Sequence, residues 1–511
     1  MEWNIRTLGA LALPVWLLLS AQTAQAQPPT ESSETADEEA TPPPASDQLA
    51  NRIQDLEARD NAREERLSAA LERVAELEQG AAQAEESAAA ERAARVAATE
   101  AAAEAAEAPE ENSGPTLRPL ASMVTRFEHR EGYTQIGRPG TGCVAFDNDC
   151  IRYRARVGVL IPDLNVGDDI VAAIRFLPQV TGNWSFGGTS GGVAHPTVGL
   201  YEGSLSLAID EVVRLDIGRF AMAYGEHVVI GTLGWHPAAR SFDGARMRIQ
   251  PTAGGLWVDA FWTMLTEGGT GDFGNFDRYF YGIYAGLGPA LAEGMDLDVY
   301  ALGLQDNDSV DAMTGAQIPW SLRITLGSRF RYRVEMIDMR LEGGMQVGQM
   351  GRPGLDSALI LAGHVDAEVG LNLADNLVRV SLEGVFASGD DPTTADTNEA
   401  YNHLFPTAHA FLGLADVTGG RSNVGSGVLH LMAKPLPQLT IKLDTHLFMR
   451  PEAGGLDNLL GGEGDLNVIW TPGAGFRVRG MYGLFIPNEG FWGAGIDPVH
   501  YLEIEVGYTL N

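Results

Sequence analysis

Three arginines, Arg152, Arg154 and Arg156, alternate with Ile151, Tyr153, Ala155 and Val157 in the stretch IRYRARVGVL. Residues two apart share a face of an extended strand, so this spacing predicts one apolar side and one side bearing three like charges. The chemistry open to such a row is anion binding, because a planar guanidinium holds a carboxylate or phosphate through two parallel hydrogen bonds. Arg175, Arg219, Arg246, Arg248, Arg323, Arg379, Arg477 and Arg479 extend the set of candidates. A structural role competes with this one, in which the arginines pair with Asp298, Glu342, Asp366 or Glu383.

Other chemistry is scarce. GTSGG (188–192) lacks the Gly-x-Ser-x-Gly order of a nucleophile turn and reads as a loop between strands. The ten histidines are dispersed, with no His-Glu-x-x-His spacing, and His409 is expected to pack within its loop. Acid pairs such as Asp168-Asp169 and Asp390-Asp391 read as solvated loop residues. Neither an enzyme nor a bound cofactor is expected. Cys143 and Cys150, the two cysteines of the chain, sit in CVAFDNDC and read as one disulfide closing a small loop.

The elements that must position the arginines follow from the export signals. MEWNIRTLGALALPVWLLLSAQTAQA (1–26) has one cation, an apolar run and an Ala-Gln-Ala ending, the form of a signal peptide. The rival, an uncleaved anchor, suffers from an apolar run well short of the ~20 residues a span needs. Residues 27–45 are rich in Pro, Glu, Ser and Thr and are expected to be a disordered linker. Residues 46–112 turn to Ala, Glu, Arg and Leu, and Leu49, Ile53, Leu56, Leu67, Val74 and Leu77 fit an a/d spacing. That segment reads as a helical or coiled-coil stalk, periplasmic and open to trimerisation, or else as a solitary spacer helix.

From Leu117 to the end the period becomes two. Val213, Leu215 and Ile217 oppose Arg214 and Asp216; Ala245, Met247 and Ile249 oppose Arg246 and Arg248; Leu502, Ile504 and Val506 oppose Glu503 and Glu505. About eighteen such segments succeed one another with no helical period to cover them. A soluble sandwich would need all those apolar faces to meet in one core, and would usually split into domains. A closed barrel in a bilayer sets the apolar faces against lipid and the polar faces against a wet lumen, and leaves no unpaired edge. The fold expected for 117–511 is therefore all-β: a transmembrane antiparallel β-barrel of about 18 strands in a Gram-negative outer membrane. Each arginine of the opening row would cost ~2–4 kcal/mol at the lipid midplane, so the row belongs on the lumen wall.

Several ordered motifs resemble the alginate export family of outer-membrane porins. They are Gly218-Arg219, Tyr224-Gly225-Glu226, Trp235 and Ser241-Phe242-Asp243-Gly244, then ASGDD (387–391) and LFPTAHAFLGLADVTGGRSN (404–423). LTIKLDTHLF (439–448) and GEGDLNVIW (462–470) are similar to the family's late strands. The likeness spans roughly 120–511 and implies an 18-stranded barrel acting as a passive conduit, in the best-known member for an anionic polysaccharide. In this chain residues 113–511 carry 45 acidic and 27 basic side chains, 25 of the latter Arg, and the polar faces mix both signs. Nothing in the formal net charge of −33 suggests a nucleic-acid partner, and none is expected. Two functions follow as expectations: a channel for small anionic solutes or an anionic polysaccharide, or a structural barrel whose stalk tethers outer membrane to cell wall.

Overall fold

The computed structural model describes residues 116–137, 149–185, 192–251, 255–266, 277–288, 291, 294–310, 317–352 and 355–510. The expected signal peptide, linker and stalk lie outside these residues. All the described elements belong to one compact unit, Asn112–Asn511.

The strands are β1 (Arg118–Glu131), β2 (Asp149–Gly167), β3 (Ile170–Ser185), β4 (Gly192–Ile209), β5 (Val213–Phe220) and β6 (Phe242–Ile249). They continue as β7 (Trp257–Thr266), β8 (Arg278–Gly286), β9 (Met295–Asp306), β10 (Ser321–Val334), β11 (Ile337–Arg352) and β12 (Leu355–Leu373). The circuit ends with β13 (Val378–Ala387), β14 (Val424–Leu436), β15 (Leu439–Met449), β16 (Leu459–Gly473), β17 (Phe476–Pro487) and β18 (Val499–Thr509). Each pairs antiparallel with the next, and β1 pairs with β18 in the register Arg126↔Glu505, which closes the barrel. The sheet holds a nineteenth piece, Thr397–Asn398, which pairs parallel to β12 from within a loop.

The alternation in the sequence becomes an inside-out distribution of side chains. Val157, Leu382 and Ile504 face outward at 69%, 61% and 51% exposure, whereas Glu128, Asp366 and Glu503 face inward at 0%. Trp184, Trp262 and Trp470 stand on the outer surface, where indole rings suit the membrane–water boundary. None of the described helices is long and apolar enough to cross a membrane.

One end of the barrel carries short turns such as 168–169, 335–336 and 474–475, the periplasmic end in barrels of this type. The long connections 221–241 and 388–423 belong to the other end, and both enter the lumen. We call them the first and second straps. They change the expected picture of a wholly wet interior, because each carries apolar side chains that need a dry partner. Met222, Val229 and Ile230 of the first strap pack on inward Phe242, Phe261 and Phe280. Tyr401, Leu412 and Val417 of the second pack with Val385, Phe448 and Phe485. The inward aromatic residues of the wall are thus the core of a plug, a use that period two could not reveal.

Candidate functional site: the strapped lumen

The first strap lies against the wall that the opening arginines form. Arg126 Nη2 donates to the Trp235 carbonyl at 2.6 Å, and Arg154 Nη1 donates to those of Gly234 and His236 at 3.0 and 3.2 Å. Gln179 adds a bond to the Ala238 carbonyl at 2.9 Å, and the Trp235 indole donates to Glu503 Oε2 at 2.9 Å. Three consecutive carbonyls are therefore held by two guanidinia from β1 and β2. The straps are joined through Gly231 N to Phe405 O at 2.8 Å, Phe405 N to Val229 O at 3.0 Å, and Thr407 N to His227 O at 2.9 Å. Arg240 clamps the junction, donating to the carbonyls of Gly231, Phe405 and Pro406. Trp235 stacks on His409 with centroids 3.9 Å apart, so His409 does pack within the loops, across the two straps.

Elsewhere the wall arginines meet acids from neighbouring strands. Arg152 lies 3.5 Å from Glu128, Arg175 3.3 Å from Glu202, Arg246 2.7 Å from Asp216 and Arg248 2.6 Å from Asp259. Arg379 joins Asp338 and Glu368 at 2.5 and 2.8 Å, Arg477 joins Glu505 at 2.7 Å, and Arg479 joins Glu503 and Glu505 at 2.9 and 3.0 Å. Arg323 binds the amide oxygen of Gln346 at 2.8 Å and reaches the second strap at Ala400 and Asn398.

Two expectations change. Arg219 is not on the lumen wall: it shares the outward parity of Leu215 and Ile217 and pairs with Asp243 near the long-loop end. The Gly-Arg dipeptide resembles the lumen arginines in type only, since inward Asp216 and Phe220 fix the alternation around it. Three of the four acids expected as partners for the row at 152–156 are also taken by others. Asp298 pairs with Arg329, and Asp366 and Glu383 pair with Arg340. Cys150 is buried and disulfide-bonded, while Cys143 lies outside the described residues.

Arg154 and Arg156, like Arg323 and Arg333, have no carboxylate at ion-pairing distance among the described residues; two apart on one face of β2, they form an uncompensated pair. Arg154 rests on carbonyls. Arg156 donates to Gln179 Oε1 at 3.2 Å, and its guanidinium lies 3.3 Å over the Tyr201 ring. A peptide dipole or a π-face neutralises less of a guanidinium's charge than an acid would. On the straps, burial pulls Arg240 down to about 10, with no acid among the described residues to offset it. Burial likewise lowers His227, His236 and His403, and in the case of His236 the surrounding arginines push the same way. Glu226 goes below the usual carboxylate range: burial pushes it up, but the Arg329 fork, 2.6 Å away at its Nη2–Oε1 bond, outweighs that.

Several cavities lie along the lumen wall among the described residues. One of ≈ 460 Å³ is lined by Arg175, Glu202, Arg214, Asp216 and Arg246. A second of ≈ 590 Å³ is lined by Arg331, Arg333, Asp338, Arg379 and Lys434. A third of ≈ 380 Å³ lies against both straps, with Trp235, His409, His430, Asp444 and His446 in its walls. Among the described residues no group of His, Cys, Asp or Glu has a metal-holding arrangement.

The residues that position the straps were mostly missed in the sequence. Arg126, Glu128 and Arg130 alternate on β1 as visibly as 152–156 do, so the same period could have found them. Arg240 and Arg421 lie in connections where no period exists. Only their place in the motifs around 241 and 404–423 marks them.

A closed 18-stranded antiparallel barrel with polar inward faces, an apolar outer belt and in-folded loops is an outer-membrane porin-type barrel. Residues 205–459 match the family model described as alginate export. No curated protein sequence matches the chain. Among solved structures it is similar in fold to OccK5 (OpdH) of Pseudomonas aeruginosa, with a TM-score of 0.52 and 11% identity over 77% of this chain and 98% of that one. OpdK of the same organism, solved with vanillate, gives 0.51 and 12% over 77% and 98%. OccK2 (OpdF), solved in complex with glucuronate, gives 0.50 and 13% over 78% and 99%.

Proposed function

We propose that the barrel is a passive channel for small anionic solutes, with Arg154 and Arg156 as the station that favours anions at the strapped level of the lumen. One observation carries the reading. In a wall where most arginines are matched by acids, these neighbours on β2 project a charge that, among the described residues, no carboxylate at ion-pairing distance compensates. Confined in a low-dielectric wall, such a charge raises the local concentration of anions. The planar forks suit a carboxylate in particular. Vanillate and glucuronate in two barrels of like fold are both carboxylates, which supports the class without naming the solute.

The tether reading and trimerisation concern residues 27–112, which lie outside the described structure, and no contact of the barrel favours either. Planar-bilayer recording across a salt gradient tests the channel. The expected result is a conductance with an anion-selective reversal potential, reduced by added glucuronate. A barrel that inserts and conducts nothing, or prefers cations, would contradict it.

A further inference from the structure

The second strap meets the wall of β13–β17 beside two groups of acids and imidazoles whose mutual hydrogen bonds require bound protons. His430 on β14 bridges two acids, Nδ1 to Asp444 at 2.7 Å and Nε2 to Glu383 at 2.8 Å. A neutral imidazole has a single N–H, and ionised carboxylates only accept. The bridge therefore holds one proton more than a neutral imidazole between two carboxylates. Glu383 continues to Arg340 at 3.0 Å, Arg340 to Asp366 at 2.8 Å, and Asp366 to Arg421 of the strap at 2.5 Å.

The other group lies beneath the turn Gly413-Leu414-Ala415-Asp416. Glu463 Oε1 accepts from Ala415 N at 2.8 Å, and Asp465 Oδ2 accepts from Leu414 N at 3.1 Å. Gly413 sits at φ +80°, and a Cβ there would be 2.6 Å from Glu463, so the turn closes directly on the carboxylate. Both acids are buried, and among the described residues neither has Lys or Arg at ion-pairing distance; His446 Nε2 is 3.4 Å from Asp465. Two adjacent buried carboxylates with no full cation cannot both be ionised beside a neutral imidazole. The group of three therefore also holds a proton. This places the family-like segments 413–416 and 462–470 face to face as the two halves of one seat.

We propose that the second strap is latched to the barrel wall by these bound protons, one in the Asp444–His430–Glu383 bridge and one in the Glu463–Asp465–His446 group, and that their loss unseats it. The groups facing the bridge are Arg340 on β11, Glu383 on β13, Asp444, His446 and Lys442 on β15, and His227 and His409 from the straps. Those facing the seat are His446, Asp416 and His409, with Arg479 and Asp444 across the same cavity. When the protons leave, one carboxylate of the bridge confronts an imidazole lone pair, and the two acids of the seat confront each other. The second change lies directly under the turn 413–416 and pushes the strap from the wall of the ≈ 380 Å³ cavity, while the first reaches the strap only through Arg340, Asp366 and Arg421. The consequence for solute flow rests on the channel reading, but the latch itself does not.

Hydrogen exchange of the Leu414 and Ala415 amides, followed by mass spectrometry on the intact barrel in detergent, tests the latch directly. Corrected for the intrinsic effect of pH, protection is expected to fall at least about tenfold between about pH 7 and about pH 10. In this range the strap imidazoles are already neutral. Glu463→Gln combined with Asp465→Asn keeps both acceptors and cannot ionise, so the fall shrinks below about threefold. Equal protection at the two pH values, or the full tenfold fall in the double variant, would overturn the proposal. Should that variant not fold, the pH profile of the unaltered protein still decides. Exchange needs no ion flow, so its failure leaves the channel standing, and an inert channel leaves the latch standing.

Discussion

Arg126 of the first strand and Glu503 of the last stand 3.3 Å apart, Nη1 to Oε2, so a buried ion pair lies across the seam where the barrel closes. Glu503 also accepts from the Trp235 indole at 2.9 Å and from Arg479 at 2.9 Å. The same carboxylate thus ties together the seam, the wall and the first strap. Glu503→Ala would leave two guanidinia and an indole N–H without their acceptor in a buried place. Breaking a buried pair from one side costs about 3–5 kcal/mol. The expected outcome is a barrel that loses its heat-modifiable gel mobility at a lower temperature, with earlier proteolysis of the first strap. Glu503→Gln, which keeps one acceptor oxygen, is expected to lose less.

Gly225 makes a second test of strap docking. Its φ is +52°, and a Cβ at this position would lie 2.6 Å from Arg329 Cδ. The Arg329 fork holds Glu226, the next residue, while its Nη1 reaches Asp298 at 2.9 Å. Gly225→Val adds both backbone strain and a clash with that fork, together about 1–3 kcal/mol. Thermal unfolding monitored by circular dichroism should show the loss, and Glu226 should return toward the ordinary carboxylate range.

The strap histidines predict an acid limb to stability. His227, His236 and His403 have their imidazoles lowered by burial, so the folded state binds fewer protons than the unfolded chain. Their contribution is complete above the ordinary imidazole value of about 6.5 and is lost as pH falls from there through the lowered folded values. Acidification from about pH 7 to about pH 5 should therefore loosen the straps, read as faster exchange of the Gly231 and Phe405 amides at their junction. His403→Gln should weaken that response.

Period two made the barrel legible, because burial of one face and wetting of the other is written residue by residue in segments such as Arg214 to Ile217. The number of strands and the inward placement of Arg246, Arg379 and Arg479 follow from that rule alone. Arg219 escaped it, since a polar residue on the outward face near a strand end is tolerated where headgroups and water replace hydrocarbon. The straps were illegible for a different reason. Their apolar residues, Val228 to Ile230 and Leu412 to Val417, have no period of their own, and their partners are wall residues such as Phe261 and Phe448, distant in sequence. Which arginine keeps its charge free is decided by the full set of neighbours, and spacing along one strand cannot supply that.

The anion station is tested most directly by the reversal potential of a bilayer holding the barrel with Arg154→Gln and Arg156→Gln together. Across a potassium chloride gradient the unaltered barrel should favour chloride. The double substitution should shift the permeability ratio toward potassium by at least about threefold while single-channel current persists. An unchanged ratio in a barrel that still conducts would contradict the account.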